Sequence, residues 1–76
     1  MRRYVGNLVA SDGENRNLAS YAFEARDGKE EAIAHLVALA TETMERRGIA
    51  RATLLMTEND TAIGSRDLAN PSGARR

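Results

Sequence analysis

The stretch "DGKEEAIAHLVALATETMERRGI", residues 27–49, is the longest periodic segment of the chain, and its reading decides the fold. At 100° per residue, Ile33, Leu36, Val37, Ala40 and Met44 fall on one stripe of a helix. Ala32, Leu39 and Thr43 widen that stripe on one side. Glu31, His35, Ala38, Glu42 and Glu45 fall on the other side. The ends are punctuated. Asp27 is expected as the N-cap, with Glu30 three residues on as its capping-box partner. Glu31 adds negative charge to the first turn, and Arg46 and Arg47 add positive charge to the last, where the helix dipole favours each. Gly48 then takes the C′ position, and Ile49 is placed to pack back on Met44 as in a Schellman motif. Such a helix has to lay its apolar stripe on something.

The flanking segments supply a sheet. Residues 3–10 alternate, with Tyr4, Gly6, Leu8 and Ala10 on one face and Val5, Asn7 and Val9 on the other. Asp12-Gly13 in "SDGEN" is a hairpin signal. Residues 17–26 alternate Ala19, Tyr21, Phe23 and Ala25 against Leu18, Ser20, Ala22 and Glu24. A two-residue turn at Asp12-Gly13 sets Ala10 opposite Asn15, Tyr4 opposite Tyr21 and Gly6 opposite Ala19. A four-residue loop keeps the parity and moves Tyr21 opposite Gly6. Either register puts the aromatic faces of both strands on one side, whereas a one-residue slip would mix them. After the helix, residues 50–58 form a third strand, with Ala52, Leu54 and Met56 on one face and Arg51, Thr53, Leu55 and Thr57 on the other. "END" is a turn, and residues 61–66 form a short fourth strand. "ANPSGARR" is small and polar and is expected to be a mobile tail.

The order is therefore ββαββ, a single α+β domain over residues 1–66 with a tail over 67–76. The simplest sheet is antiparallel, 2-1-3-4, with the helix across one face. Tyr4, Leu8, Tyr21, Phe23, Leu54 and Met56 then meet the helix stripe. A domain of this size buries only roughly 60% of the surface its unfolded chain exposes, so a large-to-small change at Phe23 or Leu36 should be severe. One helix covers one side of a sheet. The other side carries Val5, Val9, Leu18, Ala22 and Leu55 among Asn7, Ser20, Arg51 and Thr53. That is more apolar than a wet face normally is, and two readings stand: the scatter of apolar side chains common on surfaces, or a partner or homodimer interface.

Composition narrows the classes. The 76 residues carry 11 basic and 11 acidic side chains, for a net charge of zero. This argues against both a generic polyanion binder and a strongly acidic DNA mimic. Only Lys29 among the basic residues is a lysine. The absence of cysteine leaves neither disulfides nor thiolate metal sites, and it fits a reducing cytosol. No apolar run approaches the roughly 20 residues of a membrane span. "MRRYVGNLVAS" is read as mature structure, because Gly6 and Asn7 interrupt what would be a signal h-region.

The search for chemistry finds no catalytic constellation, no Gly-rich phosphate loop and no expected cofactor or metal site. His35 lies four residues after Glu31, which reads as a solvated helix face. Glu42 and Arg46 are spaced for an ordinary ion pair. Arg46, Arg47 and Arg51 cluster where the helix ends and the third strand begins, with Asp12 and Glu14 expected nearby. They complement the helix dipole or present an arginine patch to nucleic acid or to an acidic protein surface. All three aromatic residues are assigned to the core, so an RNA-reading sheet with exposed aromatics is not expected.

In architecture, size and composition, residues 3–66 resemble the small phage-encoded anti-CRISPR proteins that inhibit type I systems. The resemblance runs through "YVGNLVASDGENRNLASYAFEARDG", the helix and "ARATLLMTEND". It implies a non-enzymatic inhibitor of a type I surveillance complex (Cascade), type I-C being favoured, that blocks target-DNA binding or nuclease recruitment. The implied partners are Cas subunits, with no direct nucleic-acid binding, no membrane, and a monomer or weak homodimer. The zero net charge departs from the most acidic members and puts simple DNA mimicry in doubt. No family residue roles transfer, since no motif is shared. The candidate contact residues are therefore those read from the chain: Glu31, Glu42 and Glu45 if the partner is basic, Arg46, Arg47 and Arg51 if it is acidic, and Val5, Leu18 and Leu55 on the sheet. A second resemblance is to HicB-type antitoxins, though their Pro- and Gly-Cys-containing segment between hairpin and helix is missing. A small arginine-mediated nucleic-acid-binding module is the third reading.

Overall fold

The computed structural model describes residues 2–11, 16–26 and 28–70. The elements are β1 (Arg2–Ala10), β2 (Asn17–Ala25), α1 (Lys29–Arg47), β3 (Arg51–Glu58) and β4 (Thr61–Ala69). The four strands form one antiparallel sheet in the order β2-β1-β3-β4, as the alternation implies. The helix packs on β2, β1 and β3, and Ile63 and Leu68 of β4 pack against the edge of the same core.

The β1–β2 register is that of the longer loop. Tyr4 pairs with Phe23 and Gly6 with Tyr21, which replaces the Tyr4–Tyr21 and Gly6–Ala19 pairs of a two-residue turn. The Asp12-Gly13 turn itself lies outside the described residues. Near the loop the register shifts by one, from Leu8↔Ala19 to Val9↔Asn17. Leu18 is the extra residue of this bulge. The bulge turns Leu18 from the open face, where strict alternation put it, to pack against the core. The β3–β4 turn is a two-residue one between the paired Glu58 and Thr61. Asn59 (φ 50°) and Asp60 (φ 69°) both take positive φ, as a type I′ hairpin requires. Asn59 also clamps this turn to β1. Its N–H donates to Arg3 O at 2.8 Å. Its Oδ1 accepts from the Arg3 N–H at 3.0 Å.

The helix begins one residue later than the capping pattern suggests. Gly28 occupies the N-cap and offers no side-chain hydrogen bond, while Asp27 lies outside the described residues. The other end follows the expectation. Gly48 is left-handed at φ 68°, and the Ile49 N–H donates to Met44 O at 2.9 Å, the long bond of a Schellman motif.

Tyr4, Leu8, Leu36, Met44 and Leu54 are the largest fully buried side chains. Ala32, Ala40, Ala52 and Met56 complete the core. The buried side of the helix is thus centred on Ala32, Leu36, Ala40 and Met44, and Ile33 and Val37 lie at its margin. Tyr21 and Phe23 are half-buried against the cluster, so truncating Phe23 should cost less than the pattern alone suggests. Gly6 sets the layer spacing. A Cβ built there would lie 3.0 Å from Leu36 Cδ2 and 3.2 Å from Leu54 Cδ1.

The fourth strand does not stop at residue 66. It runs to Ala69, and Asn70 beyond it is buried. The Asn70 N–H donates to Ala50 O at 2.9 Å. Its Nδ2 donates to Met44 O at 3.2 Å, so residues 67–70 belong to the fold and help cap the helix. Of the expected tail, residues 71–76 lie outside the described residues.

Two stability predictions follow. Gly6→Ala forces the fully buried Leu36 and Leu54 apart and should cost about 1–3 kcal/mol, despite the entropy it removes from the unfolded chain. Leu36→Ala should cost about 2–5 kcal/mol. Urea denaturation followed by circular dichroism checks both; a Gly6→Ala variant as stable as the parent would show that the layers can separate freely.

Candidate functional site

The outward face of α1 carries Glu31, His35, Ala38, Glu42 and Glu45, all exposed. Their spacings of four, three, four and three residues draw a straight line along the helix. At about 1.5 Å per residue the line is roughly 21 Å long. None of its carboxylates makes an ion pair with a described residue, since the one such pair joins Arg2 and Glu58. The expected Glu42–Arg46 pair is therefore not formed, as is common for exposed partners whose side-chain entropy offsets a weak attraction.

His35 does more than face solvent. Its ring meets Phe23 edge-on, with centroids 4.8 Å apart and planes at 89°. Phe23 in turn stacks on Tyr4 at 5.8 Å. His35 thus covers the edge of the core where α1 meets β2, beside a cleft of about 280 Å³ that it lines with Phe23 and Glu31. Sequence reasoning missed this contact because a helical wheel shows which side a residue faces, not which strand lies beneath its rim.

A second polar feature closes the sheet's other end. The Tyr4 hydroxyl donates to Glu58 Oε2 at 2.6 Å. Arg2 Nη1 lies 3.7 Å from the same oxygen. The Glu58 hydrogen bond, followed by burial, holds the Tyr4 phenol above its usual value, and Arg2 partly opposes this. On the helix side, the Tyr21 hydroxyl donates to Thr43 Oγ1. The Thr43 hydroxyl donates to Leu39 O at 3.0 Å.

The arginine cluster is divided by the structure. Arg47 Nη1 donates to Leu18 O at 2.6 Å, tying the helix's end to the bulge of β2. Arg46 and Arg51 are exposed and have no carboxylate partner among the described residues. Asp12 and Glu14 lie outside the described residues.

The face opposite the helix carries a hydrogen-bonded layer. Asn17 Nδ2 donates to Ser20 Oγ at 3.1 Å. Ser20 Oγ donates to Asn7 Oδ1 at 2.7 Å. Thr53 Oγ1 donates to Asp67 Oδ1 at 3.0 Å. Ser11 and Thr53 share a 3.3 Å bond. Val5 and Val9 are half-buried between these groups. Leu55 is 44% exposed and is the one large exposed hydrophobic side chain among the described residues. A groove of about 460 Å³ runs beside it, flanked by Arg51, Thr53 and Asp67. Leu18, placed on this face by alternation, is not part of it.

No group of three or more His, Cys, Asp or Glu residues among the described residues could hold a metal ion. No helix among them is long and apolar enough to cross a membrane. Comparisons of the chain with protein-family models, curated proteins and solved structures find no match.

The Tyr4 environment predicts an alkaline transition. A folded-state value raised above about 10 means that the fold favours the neutral phenol. The stability so gained is fully present below about pH 10 and is lost as pH rises through the folded value. Ultraviolet titration should show one tyrosine ionising late, and Tyr4→Phe should remove that late step. A late step that survives in Tyr4→Phe would assign it elsewhere.

Proposed function

We propose that this protein is a non-enzymatic, phage-encoded inhibitor that binds a type I CRISPR surveillance complex, type I-C by preference, and blocks target-DNA binding or nuclease recruitment. The supporting observation is the outer line of α1. Glu31, Glu42 and Glu45 make no ion pair among the described residues and stand on one helix, spread over roughly 21 Å. A surveillance complex holds its nucleic acid in an electropositive channel. A fixed row of carboxylates complements such a surface locally even though the whole chain is neutral. No catalytic step is needed, because occupying the channel is enough.

The rival reading, an arginine-mediated nucleic-acid module, has less support. Its cluster is reduced to Arg46 and Arg51 by the commitment of Arg47 to Leu18 O. The aromatic rings that would stack on bases lie on the helix-covered face.

Phage plaquing on a host with an active type I system tests the proposal. Expression of the protein should restore plaques. Glu31→Lys/Glu42→Lys/Glu45→Lys should abolish the effect while keeping the native circular-dichroism spectrum, and the parent should co-purify with the surveillance complex. Absence of protection across type I subtypes sinks the inhibitor reading. A fully active triple variant would move the contact off the helix. Tight, steeply salt-dependent binding to free DNA would favour the arginine module instead.

A further inference from the structure

We infer that the open sheet face, centred on the β3–β4 hairpin, docks a second copy of this chain. The inference goes beyond the proposed function and uses the opposite side of the molecule. Three observations carry it. First, β3–β4 pairing sets Arg51 opposite Ala69 and Thr53 opposite Asp67, so Arg51 and Asp67 are diagonal neighbours on one face. They are close enough to be natural partners, yet no ion pair joins them. Asp67 accepts only from Thr53 among the described residues, and Arg51 is exposed. Second, Leu55 is 44% exposed on the same face, next to the groove those two residues flank. Third, the remaining side chains of the hairpin face are short: Thr53, Thr57, Ser65 and Ala69. A face of this kind is flat enough to meet another sheet at the usual spacing of about 10 Å.

A second copy satisfies all three. A two-fold interface is self-complementary: if residue i of one copy meets residue j of the other, j also meets i. With the two-fold axis running along the strands over the hairpin, β3 of each copy lies over β4 of the other. Arg51 of each copy then reaches Asp67 of the other, which makes two identical cross-subunit pairs, and the two Leu55 side chains are withdrawn from water between them. The helices end up on the outside, so the carboxylate line of each copy stays accessible.

The size of the contact sets its strength. Four strands at about 4.8 Å spacing and about nine residues at 3.3 Å give a face of roughly 19 by 30 Å. Overlap of the hairpin half alone buries well under the roughly 1,200 Å² at which stable complexes begin. The dimer is therefore weak and concentration-dependent.

Sedimentation equilibrium from 10 μM to 1 mM tests this. The mass should rise from the 8.3 kDa of one chain towards twice that value. Leu55→Glu should hold it at the monomer value throughout. Arg51→Asp should weaken association at least tenfold, and Arg51→Asp/Asp67→Arg should restore it, because the exchanged charges again meet across the axis. Restoration by the double variant separates a cross-subunit pair from a fold defect in either single one. A monomeric mass up to 1 mM overturns the proposal, and so does a dimer unaffected by Leu55→Glu and Arg51→Asp.

Discussion

The close approach of helix to sheet at Gly6 governs the rest of the molecule. Leu36 and Leu54 lie over the space that any side chain at residue 6 would fill, and both are fully buried. The helix can therefore sit low over β1. Tyr21, paired opposite Gly6, sends its hydroxyl up to Thr43 on α1. Met56, paired opposite Gly6 on the other side, joins the same cluster. A core made around one glycine is thin, and the Cα envelope measures only 15 Å in its shortest direction. In so thin a domain there is no second layer to hide the far side of the sheet, so the open face follows from the same constraint that builds the core.

With little apolar surface to bury, directional bonds at both ends carry much of the specificity. At the helix's C-terminal end, the Met44 carbonyl accepts from the Ile49 N–H and from Asn70 Nδ2. Arg47 reaches Leu18 O beside them. At the opposite end, Tyr4 and Arg2 converge on Glu58, and Asn59 brackets Arg3. These bonds join segments distant in sequence, so they fix how the hairpins lie against the helix. They also divide the charged residues in two: Glu58, Arg2 and Arg47 are used internally, while the α1 carboxylates, Arg46 and Arg51 are left facing outward.

Much of this could be read from the sequence, because period and parity are local properties. Alternation in residues 3–10 and 50–58 identifies the faces of β1 and β3, and the stripe through Leu36, Ala40 and Met44 identifies the buried side of α1. Parity does not choose between registers two residues apart, and so the sequence leaves the Gly6–Tyr21 pairing as one of two. A bulge is a break in parity with no composition signal of its own here, and strict alternation therefore puts Leu18 on the wrong face. The sequence pattern ends the fourth strand at Arg66 because Asp67 and Asn70 look like tail residues. In the fold, Asp67 is held by Thr53, and Asn70 is buried because it completes a helix end more than twenty residues away. Of the candidate site, the carboxylate line was legible from helical spacing alone. The loss of Arg47 to a backbone carbonyl and the packing of His35 on Phe23 depend on tertiary contacts that no local pattern encodes.

The unpaired charges bear on function because they are inexpensive where they are. Exposed ion pairs contribute about 0–1 kcal/mol, so leaving Glu42 and Arg46 apart costs the fold almost nothing. A binding surface gains from the same arrangement, since no internal pair has to be broken before a partner is engaged. Placement on a helix adds to this. The backbone under Glu31, Glu42 and Glu45 is already ordered, so only side-chain freedom is lost on contact. The same carboxylates scattered over loops would pay for backbone ordering as well. A neutral chain can in this way present a line of negative charge to an electropositive surface. Overall charge balance and a local acidic contact are therefore compatible, because association at short range responds to the charges within about a Debye length and not to the sum over the chain.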